Sequence, residues 1–130
     1  MILDTDFIIN LLRNDIGAKN KLQQLIADSR PLIIAAPTLF ELYGGIERSS
    51  KPEQEKKKVI TVLQTMTIFS LDEQSSIKAG EIDGSLLNKG ITIDPVDSMI
   101  AGIALRNGET ILTRNLKHFS KIPTLKVETY

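Results

Sequence analysis

Short apolar runs alternate along this chain with stretches in which apolar residues recur every three or four positions, a pattern that predicts strands alternating with helices. The run Met1-Ile2-Leu3 opens the chain as a strand, Phe7, Ile8, Leu11 and Leu12 follow at helical spacing, and residues 15–17 break that helix. Leu22, Leu25 and Ile26 mark a second helix ending near Asp28, and residues 31–36 (PLIIAA) read as a strand buried on both faces. Pro37 and Thr38 start a helix carrying Leu39, Phe40, Leu42, Tyr43 and Ile46, which runs into the polar loop 49–52. A helix from Glu53 to about Thr65 precedes a strand at 67–71, and Asp72 caps a helix from Glu73 to Asn88 that Gly90 closes. Residues 91–93 form a short extended piece before a helix from Pro95 to Arg106, with Met99, Ile100, Ile103 and Ala104 inward. Asn107-Gly108 turns the chain into a strand at 110–113. One turn of helix near 116–119 and a strand around 125–127 complete it.

Strands alternating with helices imply right-handed βαβ units. The expected fold is α/β, a three-layer α/β/α sandwich with a central, mostly parallel sheet of four to five strands, residues 1–130 forming one domain. At 42% hydrophobic and 25% charged the composition is that of an ordinary globular protein, and no apolar run approaches the ~20 residues of a membrane span. No basic leader precedes the first strand, so the expected location is the cytoplasm, with no membrane partner. The absence of cysteine excludes a disulfide framework and thiolate metal sites; a bound metal must be held by oxygen or by His118, the single histidine, which favours a hard cation.

Net charge is zero, yet the charge is uneven. Residues 71–97 hold six acids against Lys78 and Lys89, whereas 106–126 hold Arg106, Arg114, Lys117, Lys121 and Lys126 against Glu109 alone. Arg48, Lys51, Lys56, Lys57 and Lys58 form a second basic group. A solvated face accounts for such runs; a rim that binds phosphates is the sharper alternative.

Four residues stand out by position. Asp4, Glu41, Asp97 and Asn115 each fall just after a strand or in the first turn of the next helix. Each has a structural explanation: Thr38 to Glu41 fits a capping box, Asp94-Pro95-Val96-Asp97 fits an N-cap with a dipole-favoured acid, and Asn115 or Asp4 could cap the helix it precedes. Their joint placement favours more. In open parallel sheets ligands bind beyond the carboxyl ends of the strands, where all four fall. Two carboxylates ~5 Å apart repel by about 3 kcal/mol at an effective dielectric of ~20, so three together call for a cation. Mg²⁺, with Mn²⁺ as substitute, suits an all-oxygen set and activates water toward phosphodiesters. In that scheme Asp4 and Asp97 hold the metal, Glu41 holds a second metal or positions the water, and Asn115 adds a neutral oxygen. Thr5, Asp6 and Thr113 stand where hydrogen bonds would support these ligands. Beside Lys117 and Phe119, His118 reads as a surface or half-buried ring, and Asp94 as a cap. Gly44-Gly45 allows a close approach after Glu41.

The pieces Leu3-Asp4-Thr5-Asp6, Thr38-Leu39-Phe40-Glu41-Leu42 followed by Gly45, residues 97–104 (DSMIAGIA), and Leu112-Thr113-Arg114-Asn115 with His118-Phe119 together resemble the PIN domain, specifically the VapC-like ribonuclease toxins of type II toxin–antitoxin pairs. In order and spacing they cover nearly the whole chain. The resemblance implies a metal-dependent endoribonuclease that dimerises with itself, acts on structured RNA and is held inactive by a small antitoxin protein. Two positions depart from the family's commoner pattern: Asp6 where Asn is more frequent, and Asn115 in place of a carboxylate. Arg106, Arg114 and Lys117 are the candidate RNA contacts.

Two rivals fit part of the pattern. A haloacid-dehalogenase-like phosphatase would use Asp4 as nucleophile, Asp94 and Asp97 as its metal pair and Ser70 at an intermediate strand, leaving Glu41 without a role. A non-catalytic regulatory module would bind Mg²⁺ or a partner through the same acidic edge.

Overall fold

The structure, a computed structural model, describes residues 1–130. Its elements in chain order are β1 (Ile2–Leu3), α1 (Thr5–Leu12), α2 (Ile16–Ala27), β2 (Ile33–Ala35), α3 (Ala36–Glu47), α4 (Pro52–Leu63), β3 (Thr67–Phe69), α5 (Glu73–Asn88), α6 (Pro95–Asn107), β4 (Ile111–Leu112), α7 (Leu116–Phe119) and β5 (Val127–Glu128). All strand pairs are parallel, in the order β3-β2-β1-β4-β5. The α/β architecture expected from the alternation is therefore present, with five strands. None of the helices is long and apolar enough to cross a membrane.

Strand side chains alternate between two cores. Ile2, Ile33, Ala35 and Ile111 enter one, with α5 and α6; Leu3, Ile34 and Leu112 enter the other, with α1 to α4. Because both faces are covered, the strands read as unbroken apolar runs. The strands are shorter than expected at 31–36, 67–71 and 110–113, since the ladder ends where the following polar or helix-starting residues begin, and the last strand lies at Val127–Glu128 instead of 125–127.

One start site differs in a way that matters. Helix α3 begins at Ala36, capped by Ala35 without a side-chain hydrogen bond, and Pro37 sits in its first turn. Thr38 is therefore already inside the helix and Glu41 lies beyond the first turn, so the capping box is not formed. The other caps are: Asp72 accepts from the Ser75 amide at 2.8 Å and Asp94 from the Val96 amide at 2.8 Å. Helix α6 lies so close to α5 that a Cβ on Gly102 would stand 2.6 Å from the Ser75 carbonyl oxygen. That close approach fixes the helix whose first turn carries Asp97.

Candidate active site

Chain order reverses at β1, which pairs with β2 on one side and β4 on the other. Crossovers leave this point in opposite directions, opening a crevice beyond the carboxyl ends of the strands. Asp4 directly follows β1 and Thr113 directly follows β4; the Asp4 amide donates to the Leu112 carbonyl at 3.1 Å, which extends the ladder to the rim. Helices α1, α3 and α6 start at the same edge and bring Thr5 and Asp6, Glu41, and Asp97. The single turn α7 adds Asn115 and His118.

These residues line one cleft of about 170 Å³: Asp4, Thr5, Asp6, Glu41, Asp94, Asp97, Asn115 and His118. The four residues singled out by position thus meet, as do Thr5 and Asp6; Thr113 supports Asp4 from beneath. Asp94, besides capping α6 as expected, and His118, half-buried as expected, also line the cleft, which their sequence positions alone do not show. The available signal for His118 was its spacing of three from Asn115, which puts both on one face of a helical turn.

Hydrogen bonds hold each acid. Asp4 Oδ1 accepts from the Thr5 amide at 2.8 Å and Oδ2 from the buried Thr113 hydroxyl at 2.7 Å, while Thr113 Oγ1 accepts from the Asn115 amide at 2.8 Å. Glu41 Oε1 accepts from the Thr5 hydroxyl at 2.6 Å, and the Thr38 hydroxyl lies 3.0 Å from the Thr5 hydroxyl. The pair that suggested a cap is instead tied to α1. Asp97 Oδ2 has the Asn115 amide nitrogen at 3.2 Å and His118 Nδ1 at 2.7 Å. Asn115, expected to offer its oxygen, turns its nitrogen to Asp97.

The electrostatics are those of acids crowded together away from water. Burial pushes the Asp4 carboxyl up to about 7, against the Thr113 hydrogen bond and with the help of the Asp97 and Asp6 charges. Burial also raises Glu41, offset by the Thr5 hydroxyl and reinforced by Asp94 and Asp97. Asp97 is raised by burial and held back by His118. Five carboxylates line the cleft with no lysine or arginine among them.

A divalent cation fits that imbalance. No three of the acid and imidazole groups already surround a common point as a finished cage. None is needed, because Mg²⁺ keeps several waters and takes only one or two carboxylates. The donors are hard oxygens, and the cation would offset both the burial that chiefly raises all three carboxyls and the smaller repulsion between them.

The basic candidates divide. Lys117 is exposed on α7 next to His118. Arg114 pairs with Asp15 at 3.0 Å, donates to the Tyr130 carbonyl at 3.1 Å and covers the Tyr130 ring at 4.2 Å. Arg106 lies nine residues beyond Asp97 on α6, roughly 13 Å along the axis. None of the three lines the cleft, and Lys117 alone sits on the turn that carries one of its lining residues, His118. Ser70, required by a phosphatase, follows β3 at the sheet's outer edge, two strands from β1 and outside the cleft. A larger groove of about 380 Å³ between α1, α3 and α4 adjoins the acids and shares Glu41.

The PIN domain family model matches residues 1–125. The chain is 30% identical over 129 residues to the tRNA(fMet)-specific endonuclease VapC of Salmonella typhimurium, covering 99% of this chain and 96% of that protein. It is 34% identical over 134 residues to ribonuclease VapC of Rickettsia bellii, covering 99% and 95%. Among solved structures, VapBC2 from Rickettsia felis bound to a promoter DNA fragment superposes with a TM-score of 0.91 at 28% identity, over 99% of this chain and 97% of that one. DNA-bound VapBC from Salmonella typhimurium gives 0.89 at 32%, over 98% and 96%. The acid cluster at the switch point, the all-parallel sheet and these full-length likenesses converge: the chain belongs to the PIN domain family, among its VapC ribonucleases.

Proposed function

We propose that this protein is a metal-dependent endoribonuclease, the toxin of a toxin–antitoxin pair, which hydrolyses RNA phosphodiester bonds at the acidic cleft. The observation that carries the proposal is the meeting of Asp4, Glu41 and Asp97 at the switch point of the sheet, all three raised by burial and none paired with a lysine or arginine. Divalent-metal use is typical of the family, and Mg²⁺ or Mn²⁺ suits the oxygen donors here. When bound, the cation would supply Lewis-acid activation of water and neutralise charge on the scissile phosphate.

The chain's own residues do the rest. Asp4 and Asp97 hold the cation, with Asp4 fixed from two sides by the Thr5 amide and the Thr113 hydroxyl. Glu41, steadied by the Thr5 hydroxyl, either adds a ligand or accepts a hydrogen bond from the attacking water. Asn115 serves through its donation to Asp97. Lys117 at the rim contacts RNA phosphates.

The likeness to VapBC complexes supports a small antitoxin as partner, and exposed Phe40 and Tyr43 on α3 support a homodimer. Purified protein incubated with RNA in Mg²⁺, Mn²⁺ or chelator tests the activity, with p-nitrophenyl phosphate in parallel. Cleavage of RNA in either metal, none in chelator and no phosphatase turnover are expected. Hydrolysis of the small ester in preference to RNA would return the protein to the phosphatase reading.

A further inference from the structure

Helix α7 is a single turn, and its packing residues are not the ones that reach the cleft. Phe119 and Ile122 are buried in the core beneath α6 and β4. Asn115 and His118, three apart, turn the other way, and the His118 side chain retains 30% of its exposure. The ring is therefore not present to fill the core.

Its hydrogen can be placed. His118 Nδ1 lies 2.7 Å from Asp97 Oδ2 and 3.1 Å from Asn115 Nδ2. A ring nitrogen offering a lone pair would repel a carboxylate oxygen at 2.7 Å, so Nδ1 carries the hydrogen and donates. Its approach to Asn115 Nδ2 is then that of two donors sharing one acceptor. Asn115 Nδ2 stands 3.2 Å from the same Asp97 Oδ2. Reversing the amide would set its oxygen against the carboxylate, which fixes that orientation as well.

We propose that His118 is a positioning residue: its Nδ1–H, together with the Asn115 amide, pins Asp97 Oδ2 and so presents Oδ1 of that carboxylate to the divalent cation. This rests on the metal-site reading above and deepens it by assigning one residue that the ligand pattern left without a role. Two donors on one oxygen stop the carboxylate rotating and reduce the electron density at that oxygen, leaving the other as the ligand atom. The turn α7 delivers both donors on one face.

Two measurements test it. Mn²⁺ binding followed by electron paramagnetic resonance should weaken by 10- to 100-fold in His118→Ala, the effect usual for an orienting partner of a ligand. His118→Asn, whose amide nitrogen takes the place of Nδ1, should recover most of the affinity, and metal-free melting should change little in either variant. Without metal, ¹⁵N shifts of the ring should report the Nδ1–H tautomer in the wild type and a mixture in Asp97→Ala. Unchanged Mn²⁺ affinity in His118→Ala, or a wild-type ring protonated at Nε2 alone, overturns the proposal. If Asp97→Ala weakens Mn²⁺ binding while His118→Ala does not, the metal site stands and only the role of His118 falls. A wild type that binds no Mn²⁺ removes both.

Discussion

Asp4 shows how one residue ties stability to function. Its carboxyl, ordinarily at 3.8, lies at about 7 in the metal-free fold. Between those values the folded protein keeps a proton that the unfolded chain releases, so Asp4's contribution to stability is largest below 3.8, falls as pH rises toward 7, and is flat above. A carboxyl moved from 3.8 to about 7 corresponds to an upper limit of roughly 4 kcal/mol. Asp4→Asn should therefore melt above the wild type in chelator at pH 8, with the gap closing toward pH 4. Mn²⁺ should raise the wild type at pH 8 and leave the variant unmoved. A gap independent of pH in thermal denaturation would contradict this. Thr5→Val is expected to free Glu41, which loses its 2.6 Å donor, and to lower cleavage while the protein stays folded, as circular dichroism alongside the RNA assay would show. Asp4 and Asp97 were legible in the sequence because one directly follows an apolar run and the other stands in the first turn of a helix; Glu41 stood out by the same reading but lies deeper in α3. The partnership of Thr5 with Glu41 was not: residues 36 apart meet only through the pairing of β1 with β2, and the local pattern of Thr38 and Glu41 imitated a cap.

Among the elements, α6 carries the burden of placing Asp97. Ser98, Ala101 and Gly102 on α6 and Ser75 and Ala79 on α5 are small and buried, which lets the helices approach closely. Gly102→Leu would place a Cβ 2.6 Å from backbone oxygen and 2.9 Å from the Ala79 nitrogen, neither of which can swing aside. It should cost about 1–3 kcal/mol or more in urea denaturation and weaken Mn²⁺ binding by shifting Asp97. Wild-type stability in this variant would show that α6 can move without loss. Helix positions were legible from periodicity and capping residues; α5 matches its expected ends at Glu73 and Asn88, where Asp72 and Gly90 mark them. Strand ends were less so, because strands of two or three residues carry too few positions for a pattern to show where the ladder stops.

Over the whole molecule, strand order turns scattered acids into a site. Alternation predicted a parallel sheet, but the insertion of β1 between β2 and β4 arises from long-range pairing that no local stretch encodes. Charge is likewise resolved only by the fold: Arg106 and Arg114 belong to the basic stretch 106–126 yet stand outside the cleft, and Arg114 is occupied by Asp15 and Tyr130. Lys117→Ala should lower the log–log salt slope of single-stranded RNA binding by about 0.7. Arg114→Ala should leave that slope unchanged and lower the melting temperature. Equal effects on the slope would place both side chains on RNA. Whether the carboxylates at the switch point form a metal-dependent RNA-cleaving centre is decided by the cleavage rate of a labelled RNA in Mn²⁺ for wild type, Asp4→Asn and Asp97→Asn. Each variant is expected to lose activity on the order of 10³-fold with the fold retained; rates within a few-fold of wild type for both would show that the carboxylates are not the cleaving centre.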